Sequence, residues 1–232
     1  YTGAIMPEGV DTIVMHEKCK RSNNRVIINE KVKQNQNMRP IGENLKRGEV
    51  VVKKGKLLNA ADIGQLAASG NNEIDIYAKL NVSVISTGDE LKSLNQNLEY
   101  GQIYESNSYG LSALVSIYGH DATRFPNVVD DLDTLRNTLN KAAKNHDCII
   151  TSGGVSMGDK DFVRILMEQE GDIKFWRVKM RPGSPPIFGF WNKVPIFGLP
   201  GNPVSSHVVF RAIVGKWLTS LTNSVDTVSY TH

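Results

Sequence analysis

Residues 147–161 read Asp-Cys-Ile-Ile-Thr-Ser-Gly-Gly-Val-Ser-Met-Gly-Asp-Lys-Asp, and this stretch decides the fold of the 232-residue chain. Its apolar run, Cys148–Ile150, is long enough for a buried strand and is bounded by polar residues. The chain then turns at Gly153 and Gly154 and enters a helical pattern at Phe162. Because a glycine turn between a strand and a helix leaves backbone N–H groups beside the helix N-terminus, the stretch predicts an anion-binding turn.

Two carboxylates, Asp159 and Asp161, belong to the same stretch. A carboxylate at this position either caps the helix or holds a cation that an anionic ligand brings with it. The residue types alone leave both roles open.

The composition, 40% hydrophobic and 22% charged residues, is ordinary for a globular protein. No apolar run approaches the roughly 20 residues of a membrane span, so we predict no membrane association. Two cysteines, Cys19 and Cys148, make no disulfide framework and favour a reducing, cytoplasmic compartment. Residues 1–60 carry 12 Lys+Arg against 6 Asp+Glu but only one aromatic residue, Tyr1, so we predict no nucleic-acid binding.

Three short strands are predicted near the N-terminus, at Thr12–Met15, Arg25–Asn29 and Glu49–Val52. We interpret residues 1–48 as a partial β-rich domain and residues 49–79 as a connecting segment with a helix over Ala60–Ala68. From Leu80 onward strands alternate with helices, which predicts an α/β domain over residues 80–222. Its expected architecture is three layers, a largely parallel sheet with helices on its faces.

Within the α/β domain the patterns predict strands at Val82–Ser86, Ala122–Phe125, Cys148–Ile150, Lys174–Met180, Pro186–Phe190 and Val194–Phe197. Helices are expected from Asn107 or Ser108, after a cap at Asp131, from Phe162, and over Val204–Leu221. Polar groups follow several of these strands, and ligands of open α/β sheets bind at the carboxyl ends of strands.

Two acidic groups among these could serve as helix caps or as ligand contacts. Ser86-Thr87-Gly88-Asp89-Glu90 ends one strand, and Asp130-Asp131 precedes an amphipathic helix. For both groups capping and pairing with the helix dipole is the better-supported reading of the spacing alone. Asn202 is likewise a good N-cap, with Pro203 at the first helical position.

A cationic segment forms a further candidate site. Strand alternation places Arg177, Lys179 and Arg181 on one face of the predicted strand Lys174–Met180. Such a face is either a solvated edge strand guarded by charge or a surface for an anionic ligand, and the adjoining Pro182-Gly183 turn slightly favours the ligand. Together with two helix N-termini and several carboxylates, it suggests a polyanionic small-molecule ligand accompanied by a divalent ion.

The order and spacing of these motifs resemble the molybdopterin molybdotransferase family, the MoeA and gephyrin E-domain group. The motifs that carry the resemblance extend over nearly the whole chain: Thr2-Gly3-Ala4, Ser86–Leu91, Gly101-Gln102-Ile103 with Ser106-Asn107, Thr151–Asp159, Phe175-Trp176, Arg181-Pro182-Gly183 and Gly198–Ser205. The resemblance implies an enzyme that takes adenylated molybdopterin and molybdate, uses Mg²⁺, inserts molybdenum and releases AMP. It also implies a homodimer and a handover of substrate from a molybdopterin adenylyltransferase.

The resemblance assigns roles residue by residue. It implies that Glu90, Asp130 and Asp161 are catalytic carboxylates that hold Mg²⁺, and it leaves Asp159 as the helix cap. The substrate-binding residues that it implies, together with the residue reading, are Thr2, Thr87, Gly88, Asp89, Ser152, Gly153, Gly154, Ser156, Asp159, Arg177, Arg181, Pro200, Asn202 and Pro203. Arg177 and Arg181 stand where bacterial relatives often carry lysine, so a guanidinium fork replaces a point charge.

Full-length relatives of this kind have a portion before Thr2 and a C-terminal β domain beyond about Thr222. Residues 223–232 are therefore expected to begin that β domain, and the chain is expected to bind ligand yet turn over poorly. Two other functions stay open at this point. One is a non-catalytic molybdopterin-binding or scaffold module, and the other is a molybdopterin adenylyltransferase.

Overall fold

The computed structural model describes residues 3–221. Its strands are β1 (Cys19–Ser22), β2 (Arg25–Ile28), β3 (Asn81–Ser86), β4 (Leu91–Lys92), β5 (Ile103–Tyr104), β6 (Asp121–Arg124), β7 (Cys148–Ser152), β8 (Asp172–Trp176), β9 (Ile187–Trp191) and β10 (Val194–Leu199). Its α-helices are α1 (Ala60–Ala68), α2 (Asn107–Ile117), α3 (Leu132–Asn145), α4 (Phe162–Gln169), α5 (Pro203–Val209) and α6 (Gly215–Leu221), with a π-helical segment at Phe210–Val214 between α5 and α6. Contacts divide the chain into two units, Tyr1–Val52 with Ala60–Asn72, and Lys53–Asn59 with Glu73–His232.

The larger unit is built on a six-stranded sheet in the order β6-β3-β7-β10-β9-β8. Strands β6, β3, β7 and β10 are parallel, whereas β9 runs antiparallel to β10, and β8 runs antiparallel to β9. The predicted α/β class with a mostly parallel sheet is confirmed. Among the described helices, none has the length and apolar character needed to cross a membrane.

Helices cover both faces of this sheet because consecutive strand residues point to opposite sides. Val84 and Ile150 belong to the apolar cluster that also contains residues of α2, α5, the π-helical segment and α6. Their neighbours Ile85 and Ile149 belong to the second cluster, with residues of α3 and α4. The sheet is therefore the middle of three layers, and near-continuous apolar runs such as that of β7 are buried on both sides.

The register of the parallel strands aligns their carboxyl ends. Ser152 of β7 pairs with Ser86 of β3 on one side and with Leu199 of β10 on the other. Beyond β6, Thr87 also forms an isolated parallel bridge with Val128. Four segments that were predicted as candidate sites thus leave the sheet at one edge.

The smaller unit corrects two of the predicted strands. Only the hairpin of β1 and β2 forms, and the predicted strands at Thr12–Met15 and Glu49–Val52 are wrong. The Ile13 N–H donates instead to the turn carbonyl of Gln36 at 3.0 Å, and the Glu49 N–H closes a turn onto Lys46 at 3.0 Å. We predicted α1 as part of a connecting segment, whereas the contacts group it with the N-terminal residues.

The larger unit corrects the cationic strand. Strand β8 ends at Trp176, and Arg177 adopts a left-handed backbone conformation with φ of 69°. A left-handed residue cannot continue the pleat, so Arg177, Lys179 and Arg181 lie in a loop rather than on one strand face. Thr2, and the C-terminal segment 223–232, lie outside the described residues.

Candidate ligand site at the sheet edge

The edge is organised by a buried carboxylate, that of Glu105, which lies just before α2. Glu105 is 7% exposed, and its two oxygens accept from the Ser86 hydroxyl at 2.8 Å, the Ser108 N–H at 2.7 Å and the Ser108 hydroxyl at 2.6 Å. It therefore caps α2 and ties that helix to the end of β3. Three donors compensate the charge, as a buried carboxylate requires.

Asn107 links the next two strand ends. Its side-chain amide donates to the Ser152 hydroxyl and to the Gly201 carbonyl, both at 2.7 Å. The carbonyl of Pro200 accepts from the Ser152 hydroxyl at 3.3 Å and from the Ser206 hydroxyl. The predicted binding residues Ser152 and Pro200 thus lie in one network that fixes β7 against the loop after β10.

The glycine turn after β7 is set by a close approach of two backbones. A β-carbon on Gly153 would lie 2.6 Å from the Thr87 carbonyl oxygen, and both Gly153 and Gly154 have positive φ angles, 97° and 68°. Only glycine fits both demands. The prediction that the turn exposes bare N–H groups is corrected for Gly153, whose N–H donates to the Leu199 carbonyl. The N–H groups of Thr87 and Gly88, at the end of β3, are likewise used by Ser152 and Val128.

Beyond the turn, residues 155–158 form a loop held by side chains from α4 and β8. The Arg164 guanidinium donates to the carbonyls of Ser156 at 2.9 Å and Gly158 at 3.3 Å. The Trp176 indole N–H donates to the Val155 carbonyl at 3.1 Å. The loop is therefore anchored on one side through its carbonyl oxygens.

The N-cap position of α4 differs from the prediction. Asp161, not Asp159, occupies the N-cap position of α4, and its Oδ2 accepts from the Gly158 N–H at 2.6 Å. The prediction that Asp159 caps the helix is wrong, since Asp159 is exposed and lies two residues before the cap. Asp161 follows a turn in which its N–H donates to the Gly158 carbonyl, so its carboxylate faces back into the loop.

A cluster of three carboxylates, Asp89, Glu90 and Asp130, lies where β3 and β6 end. Oδ1 of Asp89 accepts from the Asp130 N–H at 3.0 Å, and the Glu90 carboxylate packs against Gly88. Partial burial raises the pKa of Asp130, and the negative charges of Asp89 and Glu90 raise this pKa further, whereas Lys160 lowers it.

The structure does not gather the predicted metal ligands Glu90, Asp130 and Asp161 into one group. Within residues 3–221, no three His, Cys, Asp or Glu side chains are placed so that they could hold a metal ion. Asp161 has no part in the charge interactions of Asp130.

The carboxylate cluster lies beside Lys160, which follows the loop, and the loop itself lies beside a cationic groove. Lys160 Nζ lies 3.8 Å from Asp89 Oδ2. On the other side, Arg177 Nη1 lies 3.2 Å from the Met157 sulfur. The groove has a volume of about 570 Å³ and is lined by Arg177, Val178, Lys179, Met180, Arg181 and Ser184. The predicted cations thus do lie together, around a groove.

Asn202 and Pro203 behave as predicted at the start of α5. The Asn202 side chain accepts from the Ser205 N–H at 3.1 Å, and Pro203 is the first helical residue. Both are fully accounted for as a cap, and Asn202 is exposed beside the strand end.

Sequence reasoning missed the residues that position this edge, Glu105, Asn107, Ser206 and Arg164. The Ser106-Asn107 motif identified this segment but gave no role to Glu105 or Asn107. A usable signal existed for Arg164, which lies in the first turn of α4, where the helix dipole disfavours a cation unless it has another partner. Glu105 carried no signal, because its burial depends on how α2 packs.

Comparison with known proteins gives two family matches. Residues 83–220, more than half of the chain, match the family model described as the probable molybdopterin binding domain. Residues 1–70 match the model described as the MoeA N-terminal region, domains I and II.

Curated relatives and a solved structure agree with these matches. The chain is 41% identical over 218 residues to the molybdopterin molybdenumtransferase of Nostoc sp., covering 92% of this chain and 50% of the relative. It is 36% identical over 221 residues to the enzyme of that name from Haemophilus influenzae, covering 95% and 55%. The crystal structure of a molybdopterin biosynthesis moeA protein from Pyrococcus horikoshii superposes with a TM-score of 0.76 at 29% identity, covering 95% of this chain and 55% of that one. The chain spans about half the length of these relatives.

Proposed function

Because this chain belongs to the family of probable molybdopterin binding domains, we propose that it acts in molybdenum cofactor biosynthesis. The reaction is the insertion of molybdate into adenylated molybdopterin with release of AMP. One observation supports this above the others: residues 157–160 reach both regions, since Lys160 lies 3.8 Å from Asp89 of the carboxylate cluster and Met157 contacts Arg177 of the cationic groove. A pyrophosphate-bearing ligand with its cation and a second oxyanion could lie along this path.

The carboxylates at one end of this path are suited to supply some of the ligands of a Mg²⁺ ion. Mg²⁺ in proteins usually keeps several waters and takes one or two carboxylates together with substrate phosphates, so three protein ligands are not required. Glu90 and Asp130 can supply these ligands, since partial burial and then repulsion by Asp89 and Glu90 raise the pKa of Asp130, and the cation that lowers this pKa is a lysine. Bound there, Mg²⁺ would act as a Lewis acid on the phosphate oxygens. Oδ2 of Asp161 accepts a hydrogen bond from the Gly158 N–H and so already has a partner within the protein. The role of Asp161 in metal binding therefore stays a prediction.

The residues at the other end suit an oxyanion. Arg177, Lys179 and Arg181 line the groove and are exposed. A guanidinium can hold two oxygens of molybdate or phosphate at once, which a lysine cannot do. We propose that these three side chains bind and orient the oxyanion, and that Ser156 and the glycine turn face the pterin phosphate.

Further parts of the proposal concern the whole protein. We propose that it works in the cytoplasm as a homodimer, and that it receives adenylated molybdopterin from an adenylyltransferase. Thr2 keeps its expected role in substrate binding. These statements rest on the family, and sedimentation of the purified protein alone and with an adenylyltransferase tests the two associations.

An assay of AMP release tests the reaction. Purified full-length protein is given adenylated molybdopterin and Mg²⁺, and AMP is measured with and without molybdate. The proposal predicts that molybdate raises AMP release at least ten-fold. Tight ligand binding without molybdate-dependent AMP release would show a binding module instead, and formation of adenylated molybdopterin from ATP would show an adenylyltransferase.

A further inference from the structure

We propose that Arg164 and Trp176 are positioning residues that turn three backbone N–H groups of the loop at 155–159 toward the phosphate of the ligand. The inference deepens the proposed function and rests on it for the identity of that ligand. It concerns how the loop is shaped, because both side chains donate hydrogen bonds to the loop's carbonyl oxygens.

The carbonyl oxygens of the loop are drawn to one side. Trp176 Nε1 donates to Val155, and the Arg164 guanidinium donates to Ser156 and Gly158. The two anchoring side chains lie together, with the Arg164 guanidinium carbon 5.6 Å from the centre of the Trp176 ring. Three of the four carbonyls from 155 to 158 therefore face the same pair of side chains.

Peptide geometry fixes where the matching N–H groups point. In a planar trans peptide the N–H of the next residue is directed opposite to the carbonyl. The N–H groups of Ser156, Met157 and Asp159 are consequently turned away from Arg164 and Trp176. Within the part of the chain that the structure describes, these three N–H groups have no hydrogen-bond partner, whereas the intervening Gly158 N–H is used by Asp161.

Neighbouring backbone N–H groups that point away from their anchors and have no protein partner are available to bind an oxyanion. Such donors are effective when they are held in place before the ligand arrives, since no reorganisation is then needed. Arg164 supplies this rigidity. Its side chain is only 17% exposed, and its remaining Nη1 pairs with Glu168 at 2.8 Å, so the guanidinium is fixed from three directions.

An alternative role for Arg164 is stabilisation of α4 alone, through the ion pair with Glu168. Arg136 offers a matched control, because it lies on α3, is 30% exposed, and pairs with Asp133 and Glu170 without touching the loop. If Arg164 acted only through its ion pair, its removal would have the same effect as the removal of Arg136.

The experiment follows backbone amides by NMR while inorganic pyrophosphate is added without divalent ions. In the wild-type protein the amides of Met157 and Asp159 are expected to shift in a saturable way. Arg164→Gln should weaken this binding at least ten-fold, and Arg164→Lys should give an intermediate loss because an ammonium cannot reach both carbonyls. Arg136→Gln should bind within two-fold of wild type.

Trp176→Phe keeps the ring and removes only the N–H donor, so it provides the test if Arg164→Gln fails to fold. Its expected effect is a loss of about three-fold in pyrophosphate affinity. The proposal is overturned if these amides do not respond in the wild-type protein, or if the folded variants bind pyrophosphate as tightly as the wild type. A failure of the AMP-release assay alone would reject the reaction and leave this inference standing.

Discussion

Two groups of carboxylates at the sheet edge differ in how the fold treats their charge. Glu105 is buried and accepts three hydrogen bonds from Ser86 and Ser108. Asp89, Glu90 and Asp130 crowd together with an exposed counter-charge, Lys160, 3.8 Å from Asp89, and burial and repulsion raise the pKa of Asp130. Both groups lie at the same sheet edge, yet the protein compensates the charge of Glu105 with three hydrogen bonds and compensates the charge of the cluster only in part.

The difference separates stability from function. Compensated charge holds elements together, and its removal leaves buried donors without acceptors. Charge without a full set of partners destabilises the folded state. Such charge is retained where a ligand or cation supplies the missing partner. Glu105 therefore stabilises the fold, and we propose that the cluster at Asp89, Glu90 and Asp130 is the part of the ligand site that a cation completes.

The largest expected effect comes from deleting the buried carboxylate. Glu105→Ala should lower the free energy of unfolding by about 3 kcal/mol, because hydrogen bonds to a charged group are each worth about 1.5–3 kcal/mol and the donors are left buried. Urea denaturation followed by circular dichroism measures the change.

Glu90→Ala is the matched control, since the same atoms are removed from an exposed glutamate. Its expected effect on the unfolding free energy is within about 0.5 kcal/mol. Equal losses in the two variants would contradict the division between structural and functional carboxylates.

A smaller effect is expected from replacing Lys160, whose positive charge partly balances the carboxylate cluster. Since Lys160 lowers the pKa of Asp130, Lys160→Gln should let that pKa rise further above its ordinary value of 3.8. The folded state then binds this proton more tightly than the unfolded state, so the contribution of Asp130 to stability is fully present below pH 3.8 and is lost as pH rises through the folded-state pKa. NMR titration of the Asp130 carboxyl carbon measures the shift. An unchanged or lower pKa in the variant would show that Lys160 does not balance this cluster.

The sequence predicted the larger unit well because its strands are buried on both faces. Apolar runs such as Cys148–Ile150 have no alternative to the core, and the caps at Asp131 and Asn202 follow from local hydrogen bonds. The smaller unit was predicted less well. Ile13 and Met15 alternate as in a strand but are 41% and 46% exposed, so no burial enforces the pairing that the pattern suggests.

The candidate site was predicted in its parts rather than in its contacts. Strand order brought together the segments containing Glu90, Asp130 and Arg177 at one edge, as expected from the motifs. The orientation of side chains was not accessible in the same way. Asp161 is turned into its own loop by a hydrogen bond from Gly158, and Arg164 faces the loop through hydrogen bonds to two of its carbonyl oxygens.

The central claim is that Asp130 and its neighbours hold a divalent ion together with the phosphates of the ligand. Electron paramagnetic resonance with Mn²⁺ in place of Mg²⁺ tests it directly, in wild-type and Asp130→Asn protein, with and without adenylated molybdopterin. We predict that the ligand strengthens Mn²⁺ binding in the wild type and that Asp130→Asn reduces the ligand-dependent affinity at least ten-fold, while unfolding changes by less than about 0.5 kcal/mol. Equal ligand-dependent Mn²⁺ binding in the two folded proteins would contradict the account.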